Sequence, residues 1–200
     1  MTISKKNWGK QHVNDPYVKQ ANALGYRSRA VFKLKEILKR YPLIKNGDLV
    51  VELGSVPGAW TQLLAEKKIQ IVACDLLPMD AVKGVHFVQG DFLVEETQQE
   101  IQQHLSGRCH VILSDMSPDL TGSDITDQAN MAELLESVLH FCKENLSSDG
   151  KLVIKLFNGC DFQEMHTEIK QLFGKTKIIK PEASRQASKE VYLIADKFRL

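Results

Sequence analysis

The sequence predicts an α/β fold: an open, mostly parallel seven-stranded sheet with helices on both faces. Three observations carry this. Short apolar runs of strand length alternate with helical patterns from residue 27 onward, the rhythm of strand–helix–strand units whose right-handed crossovers give parallel neighbours. The first strong run, Leu49–Leu53, breaks at Gly54 and leads through Gly58 into the helical TQLLAEK. Finally, 200 residues at 43% hydrophobic and 26% charged suffice for one domain with a full core. The chain is therefore read as one domain over residues 1–200, with a basic extension at about 1–25.

In that extension Trp8 and Tyr17 stand among Lys5, Lys6, Lys10 and Lys19. Aromatics among cations suit stacking on a base while neighbours hold phosphates, and a solvated tail has the same composition. RSRAVFKLKEILKRY follows, with Ser28 as cap and Val31, Leu34, Ile37, Leu38 and Tyr41 at helical spacing. Arg27, Arg29 and Lys33 crowd its first turns, where the macrodipole disfavours cations, which implies a task beyond stability. Further strands are expected over 69–75 and 84–91, a helix over 95–105, and a fourth strand that starts at 109 and runs into a loop ending at 122. A helix over 127–146, a strand over 151–157, a helix over 162–173 and two late strands, 175–181 and 190–196, complete the order.

The glycine turn is the first candidate for chemistry. Without Cβ atoms at Gly54 and Gly58 the backbone can turn sharply and a ligand can lie against the amides of the helix start. The G-x-x-x-G spacing lacks the G-x-G-x-x-G of a pyrophosphate-binding turn. A nucleoside without phosphates, such as S-adenosylmethionine (SAM), fits better; an ordinary strand-to-helix turn fits the stretch alone equally well. Ligands of such sheets bind beyond the carboxyl ends of the strands, where Glu52, Asp75, Asp91 and Asp115 fall. Asp75 is placed to accept from ribose hydroxyls and Asp91 to face an adenine amino group. Lys155 interrupts LVIKLF, and a lysine inside a buried strand is either paired structurally, here with Asp115, or poised to take a proton.

Charge divides along the chain. Residues 1–40 hold ten Lys and Arg against two Asp and Glu, and residues 170–200 hold eight against three, around an acidic centre. Basic flanks of this kind suit a polyanion. No apolar run approaches membrane-spanning length, and Cys74, Cys109, Cys142 and Cys160 form no C-x-x-C pair, so they read as small core residues of a cytoplasmic protein. The six histidines show no ligand spacing.

RSRAVFKL, ELGSVPGAW, CDLLPM, QGDF, SDMSPDLTG, VIKLF and SRQASKEVY, in unbroken order over about residues 15–198, resemble the successive motifs of the FtsJ (RrmJ) family of ribosomal RNA large-subunit methyltransferases. The resemblance implies a Rossmann-like SAM-dependent methyltransferase fold. It also implies methylation of a uridine ribose 2′-hydroxyl in large-subunit (23S-type) ribosomal RNA, on the assembled or assembling subunit. A monomer is expected, and no metal, since the charge lost from the sulfonium balances the proton removed. By motif, the family's catalytic tetrad falls on Lys33, Asp115, Lys155 and Glu190. Its SAM contacts fall on Gly58, Trp60, Asp75, Asp91 and Asp115, to which the turn adds Gly54. RNA is expected across Arg27, Arg29, Lys33, Lys180, Arg185 and Lys189. Glu52, Ala59 and Asp119 depart from the family pattern, in which an aspartate, a glycine and an asparagine stand. The rivals are a 2′-O-methyltransferase acting on transfer RNA or an mRNA cap, a dinucleotide-dependent oxidoreductase, and an assembly factor that binds RNA without turnover.

Overall fold

The computed structural model describes residues 15–159 and 161–199; Lys5, Lys6, Trp8, Lys10 and Cys160 lie outside them. Seven strands form one sheet: β1 (Leu49–Leu53), β2 (Gln70–Asp75), β3 (Val85–Gln89), β4 (Cys109–Ser114), β5 (Leu146–Phe157), β6 (Phe173–Ile179) and β7 (Glu190–Phe198), in the order β3-β2-β1-β4-β5-β7-β6. The first five are parallel, and β7 runs antiparallel to both of its neighbours. The expected mostly parallel seven-stranded α/β fold is therefore the observed one. β1 is buried along its whole length, as an apolar run covered on both faces must be.

Among the described residues there are six helices, α1 (Pro16–Ala23), α2 (Val31–Arg40), α3 (Ala59–Ala65), α4 (Glu95–Gln103), α5 (Asp124–Asn145) and α6 (Phe162–Leu172), and the last five cover the two faces of the sheet. Strand alternation assigns the partners. Val50, Val111, Leu113, Val153 and Tyr192 pack with α2 and α3, whereas Val51, Leu53, Ile112, Leu152 and Ile154 pack with α4, α5 and α6. Cys74, Cys109 and Cys142 are buried free thiols within this core. Among the described residues no helix is long and apolar enough to cross a membrane.

Three local differences from the sequence expectation have physical causes. Residues 16–23, expected within a polar extension, form α1, which Asp15 caps by accepting from Tyr17 N–H at 2.9 Å while Pro16 occupies the first turn. Helix α2 starts at Val31 rather than at a Ser28 cap; Ser28 Oγ accepts from Ala30 N–H at 3.2 Å, in a turn that precedes the helix. β5 begins at Leu146, five residues early, and its pairing with β4 shifts register between Cys109 and Val111, which accommodates the extra residues around Asp149 (φ 60).

Candidate active site

The carboxyl ends of β1, β2 and β4 open into a cavity of about 410 Å³ whose wall includes Gly54, Asp75, Asp91 and Asp115. Gly54 (φ +76) and Gly58 (φ +100) occupy the left-handed region. Their missing Cβ atoms make room for protein as much as for any ligand: a Cβ on Gly54 would stand 2.7 Å from Met116 N, and one on Gly58 would strike Arg27 Nη1. Asp75 braces this turn, its Oδ2 accepting from Val56 N–H at 2.7 Å and its Oδ1 from Leu77 N–H at 2.9 Å. Asp91 Oδ1 accepts from Leu93 N–H at 3.0 Å. Gly58 and Trp60 stand behind the wall; the Trp60 indole is buried and donates to Ala30 O at 2.8 Å.

Beneath the turn lies Glu52, 1% exposed, receiving the Thr61 hydroxyl on Oε2 at 2.8 Å. Burial pushes its carboxyl up to about 8; the Thr61 hydroxyl opposes this, and the charges of Asp115 and Asp75 add to it. At neutral pH Glu52 is therefore mostly the neutral acid, buried beneath the turn and not part of the cavity wall.

Next to the cavity the four tetrad positions converge from α2, β5, β7 and the end of β4. Lys155, 9% exposed, donates to Asp115 O at 2.6 Å and stands 3.3 Å from Asp115 Oδ1. Lys33 Nζ meets Glu190 Oε1 at 2.6 Å. Tyr192, unsuspected from sequence, joins the pairs: its hydroxyl donates to Asp115 Oδ1 at 2.6 Å and lies 3.4 Å from Lys33 Nζ. β5 and β7 place Lys155 opposite Tyr192 and Phe157 opposite Glu190, which gathers these side chains where β5 ends and β7 begins. Burial raises the Glu190 carboxyl, but the Lys33 charge and hydrogen bond, Lys155 and Ser184 outweigh it and hold the group below its ordinary value. Burial, then Asp115 and Glu190, drive the Tyr192 phenol well above its own, so it remains a donor.

A second cavity, about 490 Å³, opens on the other side of Lys33 and Glu190 and is lined also by Arg29, Arg185 and Ser188. Burial and the Arg185 charge lower the Arg29 pKa against the pull of Glu190; two guanidiniums so gathered attract an anion. Arg29 is held by Asp15 and Ala183 O and covers the Tyr17 ring. Lys180 donates to Gln186 O at 3.2 Å and Ser188 O at 2.8 Å, shaping the wall, and Lys189 pairs with Asp124 at 3.2 Å. Arg27 stands apart from this group. Its guanidinium spans Pro57 O (3.2 Å), Asp80 O (2.8 Å) and Ala81 O (3.2 Å), clamping the glycine turn to the loop after β2.

Sheet order and site define a class, an α/β fold with a ligand-sized cavity at the strand ends and a lysine–carboxylate cluster facing a basic cleft. The family follows from comparison: the FtsJ-like methyltransferase profile matches residues 26–198, and the chain belongs to that family. It is 45% identical over 201 residues to the ribosomal RNA large subunit methyltransferase E of Marinobacter nauticus, covering 98% of this chain and 97% of the relative. Against the protein of the same name from Bordetella petrii it is 43% identical over 199 residues, 95% of this chain and 94% of that one. Among solved structures it resembles a ribosomal RNA methyltransferase of Plasmodium falciparum, with a TM-score of 0.78 and 28% identity over 86% of this chain and 98% of that one. The chain is thus an RNA methyltransferase that uses a methyl donor.

Proposed function

We propose that this chain transfers the methyl group of SAM to a ribose 2′-hydroxyl, that of a uridine in large-subunit ribosomal RNA, acting as a cytoplasmic monomer on the assembled or assembling subunit. One observation supports the reading above the rest: Lys155, Asp115, Lys33 and Glu190 meet, through Tyr192, at the border between an acidic-walled cavity and a basic one. The first cavity fits a cationic nucleoside, with Asp75 and Asp91 at successive strand ends and no glycine-rich cradle for pyrophosphate. When bound, SAM supplies a methyl group already activated by its sulfonium.

The residues of the chain then align the acceptor and remove its proton. Lys155 is the proton acceptor. Its bond to the Asp115 carbonyl at 2.6 Å fixes the amine at the end of β4, where the hydroxyl proton is to be received. Asp115 orients that amine and is itself fixed by the Tyr192 hydroxyl. Lys33, anchored by Glu190, offsets negative charge developing on the ribose oxygen. Arg29 and Arg185 hold the RNA backbone, and holding oxygen and methyl carbon in line contributes on the order of several kcal/mol.

The test is transfer from labelled SAM to undermethylated large subunits, with the labelled nucleotide mapped, in parallel with transfer RNA and capped RNA. Label on a ribose of large-subunit RNA is expected. Label confined to either other RNA, or to a base, would reject the substrate assignment, and SAM bound without transfer to any RNA would favour a non-catalytic assembly role.

A further inference from the structure

A third cavity, of about 330 Å³, lies past Glu190 where β5 ends, between the start of α5 and residues 187–189. We propose that it is a nucleobase subsite, which receives one unstacked base flanking the target ribose; this rests on the ribose-methyltransferase reading above.

Position is the first argument. Ala187 and Ser188 wall both this cavity and the basic one. The loop after β4 is shared in the same way, since Asp115–Asp119 line the donor cavity and Leu120 lines this one. Phe157, in its wall, is two residues from Lys155 on the same strand, about 7 Å. A nucleotide bound with its ribose at Lys155 therefore has this cavity beside it.

The lining supplies the second argument. Met131 and Met165, buried at 1% and 3% exposure, form the floor with Phe157, and Leu120, 62% exposed, forms the lip. Thioethers adapt to flat rings, and an aromatic offers a stacking face. Asn158 sets an amide at the rim, of the kind that bonds base edges; Gly159 leaves room for the Gln128 side chain beside it, since a Cβ there would stand 2.6 Å from Gln128 Nε2. The charges oppose a phosphate occupant, because Asp124 and Asp127 line the cavity and Lys189 is paired with Asp124 at 3.2 Å. A neutral heterocycle fits where an anion does not.

The lip is built rather than loose. Asp127 accepts from Thr121 N–H at 2.6 Å, Thr121 Oγ–H at 2.8 Å and Gly122 N–H at 3.3 Å, which fixes the turn that carries Leu120. The need is chemical as well. An enzyme that lines up a ribose hydroxyl with a donor must draw the nucleotide out of its stack, and an aromatic seat returns part of the lost stacking.

The experiment compares Phe157→Ala, Leu120→Ala and Asn158→Ala with wild type for methylation of undermethylated large subunits, with SAM affinity and thermal unfolding as controls. Phe157→Ala should raise KM for the RNA about tenfold, the scale of one stacked base, with SAM affinity within twofold. Leu120→Ala and Asn158→Ala, at exposed positions that keep the fold, should each raise KM several-fold. An RNA fragment carrying 2-aminopurine beside the methylated nucleotide should brighten on binding as that base unstacks, and respond differently with Phe157→Ala. Active wild type with unchanged KM in the Leu120 and Asn158 variants and no 2-aminopurine response overturns the subsite alone. Wild type that methylates no ribose overturns the function on which it rests.

Discussion

The donor cavity and the basic cleft meet at Asp115 and Lys155, yet they are built in different ways. The donor side is made of strand ends and backbone: Asp75 bonds amides 19 and 2 residues away, and Asp115 N–H donates to Leu53 O of the adjacent strand. The basic side is made of long side chains brought together by the fold, with Lys33 and Glu190 157 residues apart and Arg29 and Ala183 154 apart. Local backbone geometry thus shapes the first cavity, whereas the second depends on individual charges, so substitutions on the two sides should be separable by what they leave intact.

The largest effect should come where the sides join. Lys155→Ala is expected to slow single-turnover methyl transfer about 10³-fold, in the range of a lost general base, with SAM affinity by calorimetry within a few-fold; transfer at the wild-type rate would remove Lys155 from the mechanism. Arg27 sharpens the contrast, since it sits in the basic motif but acts on the donor side. A lysine keeps its charge but cannot span three carbonyls, so Arg27→Lys should weaken SAM binding about tenfold while leaving the salt dependence of RNA binding unchanged. The reverse pattern would return Arg27 to the RNA side.

Arg185→Ala should do the opposite of Arg27→Lys, lowering the slope of log affinity for RNA against log salt by about 1 with SAM affinity unchanged. The smallest effect concerns Glu52. Its folded pKa, about 8, lies above the ordinary carboxylate value of 4.5, so its stabilising contribution is complete below about pH 4.5 and is lost as pH rises toward 8. Glu52→Gln, which keeps an acceptor for Thr61, should unfold at a higher temperature than wild type at pH 9 and converge with it near pH 4. Parallel curves across that range would mean that Glu52 ionises normally.

The same division decides what could be read in the sequence. The succession of strands and helices and the carboxylates at strand ends follow from period and spacing, whereas the order of the strands in the sheet does not, and Lys155 stands out because an apolar strand does not tolerate an unpaired amine. Tyr192 escaped because a tyrosine within EVYLIAD is what any strand core contains; only the register with Lys155 reveals its role, although its spacing of two from Glu190 put it on the same face. Arg27 could not be told from Arg29, since both are cations before one helix and their partners are carbonyls, which leave no trace in a sequence. The Asp15–Pro16 start of α1 was legible and was masked by the lysines around it. Gly58 was singled out for ligand approach, and the structure adds Arg27 as a neighbour that a side chain would displace.

The antiparallel course of β7 has one further effect. A parallel strand delivers only its last residues to the edge where the first cavity opens, but β7 begins there, at Glu190, so the connection from Lys180 to Lys189 lies at that rim, tied down by Arg29 at Ala183 O, by Glu36 at Glu182 N–H and by Ser184 at Glu190. Its exposed tip, residues 185–187, can change in composition without moving any strand end around the first cavity. Choice of RNA can therefore diverge in this fold while the methyl-transfer half stays fixed.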